Sequence, residues 1–307
     1  MKFPDVEAMF DRAVLWLRRK SKRFDHFWLA QERFFAVDAG RLSAAISYYA
    51  FFAAFSLALL ALSVFGFLLK LPRLYTIVED WLKENLPIIG VETIAESAPT
   101  VGMIALGALV ITGVSWVQTI RTSIRAVWLL EQEPGNPILR WIIDLLVLIA
   151  LGILLVGTLA ITAVAEVALA WLGDGNDNKA LSTAIYYGGT VVGIVVNTVL
   201  VAALLSALPR LALPFKRIVY PALWVAIGLE GLKTLGSIYI KSAAHRPAYQ
   251  AVGTAVGLLI FLYLFNNMLM FASAWTATSE RGKAIDLAVR ERKRIHTDEL
   301  ERVHKED

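Results

Sequence analysis

No cysteine occurs anywhere in the 307 residues. Disulfides, zinc–thiolate centres and cysteine nucleophiles are therefore excluded. Histidine is almost as scarce. The four are His26, His245, His296 and His304, and none lies in an HExxH helix or beside a spaced carboxylate, so a metal site has no support. A GxSxG elbow, a Walker loop and a dinucleotide fingerprint after a strand are all missing. With no nucleophile–base pair and no metal set, the chain reads as a non-enzyme, and no cofactor is expected. An energy source, if one is needed, must be an ion gradient or a partner. Charged residues make up only 18% of the chain and gather mostly toward its two ends. No cleavable leader is expected, because the first long apolar run follows about 40 charged residues and is too long for a signal peptide's apolar region.

What the chain has in excess is apolar surface. It is 57% hydrophobic, with a mean hydropathy of +0.60, which is the balance of a polytopic membrane protein. The fold class expected is all-α, with six transmembrane helices and interfacial amphipathic helices. The spans fall near 43–69, 101–120, 141–172, 181–208, 218–241 and 252–278. Residues 70–100 hold Pro72, Pro87, Pro99 and the amphipathic piece LYTIVEDWLKENL, and read as an extracytoplasmic loop with an interfacial helix. EQEPGNP at 131–137 and GDGNDN at 173–178 read as turns, and 208–217 as a short basic loop. Gly189 with Gly193 and Gly253 with Gly257 form GxxxG pairs, read as close packing within one bundle.

Residues 1–42 form the first of three regions, a basic helical segment. Val6, Met9, Phe10, Ala13, Val14 and Leu17 make one apolar stripe at helical spacing, and Arg18, Arg19, Lys20, Lys22 and Arg23 follow it. Such a helix can lie on an anionic leaflet or pack on the ends of the bundle, and both readings stay open. The membrane domain is 43–278. The tail, 279–307, is almost wholly charged with acids and bases nearly balanced, which reads as a solvated helix or disordered segment without a nucleic-acid partner. Six spans put both termini on one side. Lys and Arg number 23 on that side against 6 on the other, which predicts cytoplasmic termini.

The chemistry-bearing stretch is PALWVAIGLEGLKTLGSIYIK at 221–241. Glu230 and Lys233 sit near its middle at i and i+3, on one helix face, which Ser237 and Lys241 continue outward. A charge at bilayer depth costs at least about 2.5–3.5 kcal/mol on insertion scales, so these groups face protein or water. Asn197, Asn266 and Asn267 in neighbouring spans extend the candidate substrate path. An ion pair that only orients the helix is the competing reading. Arg121 and Arg125, one turn apart after the second span, and His245 with Arg246 at the mouth of the fifth, are candidate contacts for anionic headgroups. Asp144, Glu166 and Glu230 are the acids able to carry protons, with Lys233 favouring the ionised form of Glu230.

SAAISYYAFFAAFSLALL at 43–60, RTSIRAVW at 121–128, LP at 208–209, PALWVAIGLEGLKTLGSIYI at 221–240 and AYQAVGTAVGLLIFLYLFNNMLMFASAWTAT at 248–278 occur in that order. The ordered set resembles the YihY/BrkB family of membrane proteins over about residues 35–280, and YQAVGTA with AWTAT resembles its YhjD-like branch. Ser56 stands where that family often has a proline, so a kink there is not expected. The resemblance implies six transmembrane helices in the bacterial inner membrane and a role in envelope integrity. It supplies no catalytic residues, and a ribonuclease label once given to some members finds no acidic metal cluster in this sequence. Two functions follow as expectations. One is a transporter or flippase of a lipid or anionic envelope precursor. The other is a non-transporting envelope-integrity scaffold that holds envelope protein partners. The oligomeric state is not legible.

Overall fold

The structure is a computed structural model, and it describes residues 6–68, 91–173, 179–243, 247–288 and 294–295. Two short helices, α1 (Val6–Lys20) and α2 (Lys22–Ala36), precede six long ones: α3 (Ala39–Leu68), α4 (Val91–Val127), α5 (Pro137–Gly173), α6 (Lys179–Ser206), α7 (Phe215–Ala243) and α8 (Pro247–Ala277). Five of the long helices are long and apolar enough to cross a membrane within their described portions, and α6 contributes a shorter apolar stretch, Gly193–Ser206. The all-α membrane architecture is as expected.

The helix boundaries follow local chemistry. Ser21 caps α2 by accepting the Phe24 amide at 3.4 Å. Asn136 caps α5 through the Ile138 amide at 2.9 Å, with Pro137 at the first helical position and Gly135 turning at φ +82° just before. In α3, Ser56 donates to the Phe52 carbonyl at 2.9 Å and the helix runs through without interruption.

Three expectations are corrected. The helix of the second span starts ten residues early: α4 begins at Val91 and carries Pro99 inside it, and its candidate crossing portion runs from Glu96. The Ala98 carbonyl beside that proline accepts from Ser63 of α3 at 2.6 Å, and Gly102 lets α3 come close, since a Cβ there would collide with Ser63. The interfacial piece of the 70–100 loop lies outside the described residues, as does 174–178. Second, the "basic loop" at 208–217 is part of a small sheet. β1 (Leu211–Ala212), β2 (Ala284–Asp286) and β3 (Arg294–Ile295) pair antiparallel in the order β1-β2-β3, with Leu211 opposite Asp286 and Ala284 opposite Ile295. Third, the start of the charged tail is neither helix nor free coil. It folds back, burying Ala284 and Asp286 on either side of Ile285, the period-two pattern of a strand.

The buried core is one-sided. It gathers the start of α3 (Ile46), the ends of α4 (Val117, Ile120, Ile124, Trp128), α6 (Val201, Leu205) and α8 (Leu269, Met270, Ala274), the start of α7 (Ala222, Val225) and Ala284 of β2. All of these lie at the end of the bundle that bears α1, α2 and the sheet, called here the basic end. Among the described residues α5 packs mainly on α4, and its outer face (Ile138, Ile149, Ile153) is exposed, as suits a lipid-facing helix.

Candidate functional site

α7 passes from one environment to another. One face of its first turns (Arg217, Ile218, Ala222, Val225, Ala226) is buried while the other (Phe215, Tyr220, Trp224) is exposed, and farther along Ile227, Leu235, Ile238 and Tyr239 are exposed. Glu230 and Lys233 lie just past that change. Lys233 Nζ donates to Glu230 Oε1 at 2.7 Å, and Asn197 Nδ2 of α6 donates to the same oxygen at 3.0 Å. The Glu230 side chain is 25% exposed and that of Lys233 50%. Gly193, one turn from Asn197, also lies beside this group: a Cβ there would stand 3.5 Å from Glu230 Oε1, ordinary contact. Thr234 and Ser237 continue the strip, their hydroxyls donating to the carbonyls of Glu230 (3.0 Å) and Thr234 (2.8 Å). Back-bonding of this kind keeps the hydroxyl proton on the helix but leaves oxygen lone pairs facing out.

The structure thus unites Asn197, Glu230 and Lys233 and extends them through Ser237. Lys241 lies on α7, but its side chain is outside the described residues, as are His245 and Arg246 and the side chain of Glu166. Asn266 and Asn267 do not join the cluster. Asn266 is buried and donates to Ser47 Oγ of α3 at 3.0 Å, its Oδ1 having no partner among the described residues. Asn267 donates to the Tyr263 carbonyl of its own helix at 2.8 Å.

Arg121 and Arg125 are not positioned for headgroups. Both are buried inside α4. Arg121 makes a two-pronged bond to Asp144 of α5, at 3.0 and 2.8 Å. Arg125 makes another to Asp286 of β2, at 3.1 and 2.7 Å, and also donates to the carbonyls of Glu131 (2.6 Å) and Pro209 (2.8 Å). The physical reason is burial: a guanidinium out of water needs a fork of acceptors, and carboxylates from other elements supply it. Asp144 has both carboxylate oxygens engaged in this pair. Sequence reasoning missed Arg217 altogether. It is buried at the start of α7, donates to the carbonyls of Thr276 (2.6 Å), Ala277 (3.0 Å) and Gly282 (3.1 Å), and lies over the Trp128 ring at 5.0 Å. It thereby fills the free carbonyls at the C-terminus of α8, where a cation suits the helix dipole. Its neighbourhood to Pro221 gave no hint of this.

α2 docks on α8 through aromatic rings. His26 stacks near Trp275 with centroids 4.6 Å apart and bonds its carbonyl at 3.0 Å, and Phe27 packs on Phe271 at 5.5 Å. α1 folds against α2 through Arg18, which pairs with Asp25 (2.6 Å) and Glu32 (3.1 Å), while Leu15, Trp16, Arg19 and Lys20 stay exposed.

Comparison with known proteins agrees with this architecture. The family model described as virulence factor BrkB matches residues 30–296. The chain is similar to the inner membrane protein YhjD of Escherichia coli (strain K12), with 28% identity over 274 residues covering 83% of this chain and 81% of that protein. It is similar to an uncharacterised protein of Dickeya dadantii (strain 3937), with 28% identity over 295 residues covering 86% and 87%. No solved structure matches.

Proposed function

The chain belongs to the virulence factor BrkB family of inner-membrane proteins, and on that premise we propose that it moves a lipid or an anionic envelope precursor along the outer half of α7. The observation that carries this reading is the shared Glu230 Oε1, held at once by Lys233 and by Asn197 of the next helix while half of the lysine side chain remains accessible. A purely structural ion pair in a membrane is expected to be shut in on all sides. This one has an open flank that runs on through Thr234 and Ser237. Lys233 offers an ammonium to an anionic group; Glu230 holds that ammonium in place when no ligand is there, and Asn197 steadies Glu230 by donating to the same oxygen. In this reading both termini are cytoplasmic, so the strip opens toward the far side and the core seals the cytoplasmic side. The activity is translocation without catalysis.

Reconstituted vesicles carrying a fluorescent anionic phospholipid test it. Glu230→Gln and Lys233→Met should each abolish protein-dependent movement across the bilayer with unchanged folding. Transport that survives both changes sinks the assignment. A second reading, an envelope-integrity scaffold that recruits proteins, is favoured by the exposed basic and aromatic face of α1. Deleting residues 1–30 should remove partner recruitment and leave lipid movement intact if that reading holds.

A further inference from the structure

The first turns of α7 present a second surface, distinct from the Glu230 strip. Lys216, Tyr220, Trp224 and Ile227 follow one another at i, i+4, i+8 and i+11, all exposed. That spacing is one helix face. Its chemistry is ordered by depth: an ammonium at the basic end, then a phenol, an indole and an aliphatic chain. Eleven residues at 1.5 Å each cover about 16 Å, roughly one leaflet of a bilayer's hydrocarbon core.

α2 and α7 both lie against α8 beside this face. Trp224 of α7 and Phe27 of α2 both pack on Phe271 of α8, at 5.8 and 5.5 Å, so Phe271 floors the space between the two outer helices. Cations gather at the basic end of this face. The Arg281 guanidinium lies over the Tyr220 ring at 5.2 Å and is exposed, as is Lys283 two residues on. Neither these two nor Lys216 pairs with a carboxylate among the described residues. Arg217, just inward, spends its donors on carbonyls. Arg281, Arg217 and Glu280 all lie near enough to act on His26. With Lys216 and Lys283, the cations outnumber Glu280 at this end of the face, and the α2 acids Asp25 and Glu32 are taken by Arg18.

We propose that this face of α7, beside α2, holds an anionic phospholipid, its phosphodiester against Lys216 and Arg281 and one acyl chain along Tyr220, Trp224 and Ile227. Basic residues at a membrane surface attract acidic lipid headgroups, and aromatic side chains at the interface hold the glycerol level. The site replaces Arg121 and Arg125 as the headgroup contact, since those are shut away in ion pairs. It rests on the membrane architecture alone and stands whether or not the chain transports anything.

The test uses the full chain purified in a non-ionic detergent. Native mass spectrometry with phosphatidylglycerol or phosphatidylcholine of matched chains should show the wild type retaining the anionic lipid on the order of tenfold better. Lys216→Gln with Arg281→Gln should level the two, and both sites are exposed, so the lipid-free melting temperature should not move. Phosphatidylglycerol with brominated chains should quench tryptophan emission in the wild type and measurably less in Trp224→Phe. Equal retention of the two lipids by the wild type overturns the proposal. So does a preference that persists in the double variant, or quenching unchanged in Trp224→Phe.

Discussion

The start and the middle of α7 hold the same kind of charge in opposite ways. At the basic end Arg217 is buried and every donor used is directed at a carbonyl, while Arg121 and Arg125 beside it each take a carboxylate in both prongs. Further along, Lys233 and Asn197 share a single oxygen of Glu230, and solvent or lipid reaches the lysine. The first arrangement is a clamp. Removing one member strands a charge in a dry place, and the penalty is large. The second is a loosely held pair whose members can let go at small cost. Burial, and not the presence of ions in the membrane, separates a structural ion pair from one available for work.

Breaking the clamp should give the largest effect. Asp286→Ala leaves Arg125 buried without its carboxylate and should lower stability by about 3–5 kcal/mol, read as thermal unfolding in detergent. Pairing it with Arg125→Met should recover much of that loss. Asp144→Ala should behave alike through Arg121. Next comes Arg217→Met, which strands the carbonyls at the end of α8 and should cost about 1–3 kcal/mol by the same measurement.

A third comparison uses pH. Burial pushes the His26 imidazole below its ordinary value, the Trp275 carbonyl opposes this, Arg281 and Arg217 add to it, and Glu280 opposes it weakly. The folded state therefore binds the proton less well than the unfolded one. The contribution of neutral His26 to docking of α2 on α8 is fully present above pH 6.5 and lost as pH falls through the lowered value. Protease nicking between α1 and α2 should rise on acidification from 7.5 to about 5, and His26→Phe should flatten that rise. Smallest of all is the stability effect of Glu230→Gln, under about 1 kcal/mol on the exposed-pair scale. A loss of several times that would mean that the Glu230 cluster is a second clamp, and the contrast along α7 would collapse.

Much of this was legible in the sequence and some was not, for physical reasons. The six apolar runs announce the helices because hydrophobic length is local information. The Glu230–Lys233 contact is equally local, three residues on one helix, and the structure forms it. Arg121 and Arg125 read as interfacial because their acids are far off in the chain: Asp144 is 23 residues away and Asp286 is 161. The local signal for Asp286 is the apolar run around it, Ala284, Ile285, Leu287, Ala288 and Val289, which a charge balance over the whole tail averages out. Asn266 was grouped with Glu230 by depth alone, and rotation about α8 turns it toward Ser47. Depth can be counted from sequence, but facing cannot.

The clasp between α4 and β2 also has an order in time. Arg125 leaves the ribosome 161 residues before Asp286, and at roughly 5–20 residues per second that interval is on the order of ten to thirty seconds. Through it the nascent bundle holds a guanidinium whose acid has not yet been made. A chain halted within that gap would lack the carboxylate that both prongs of Arg125 hold in the finished fold.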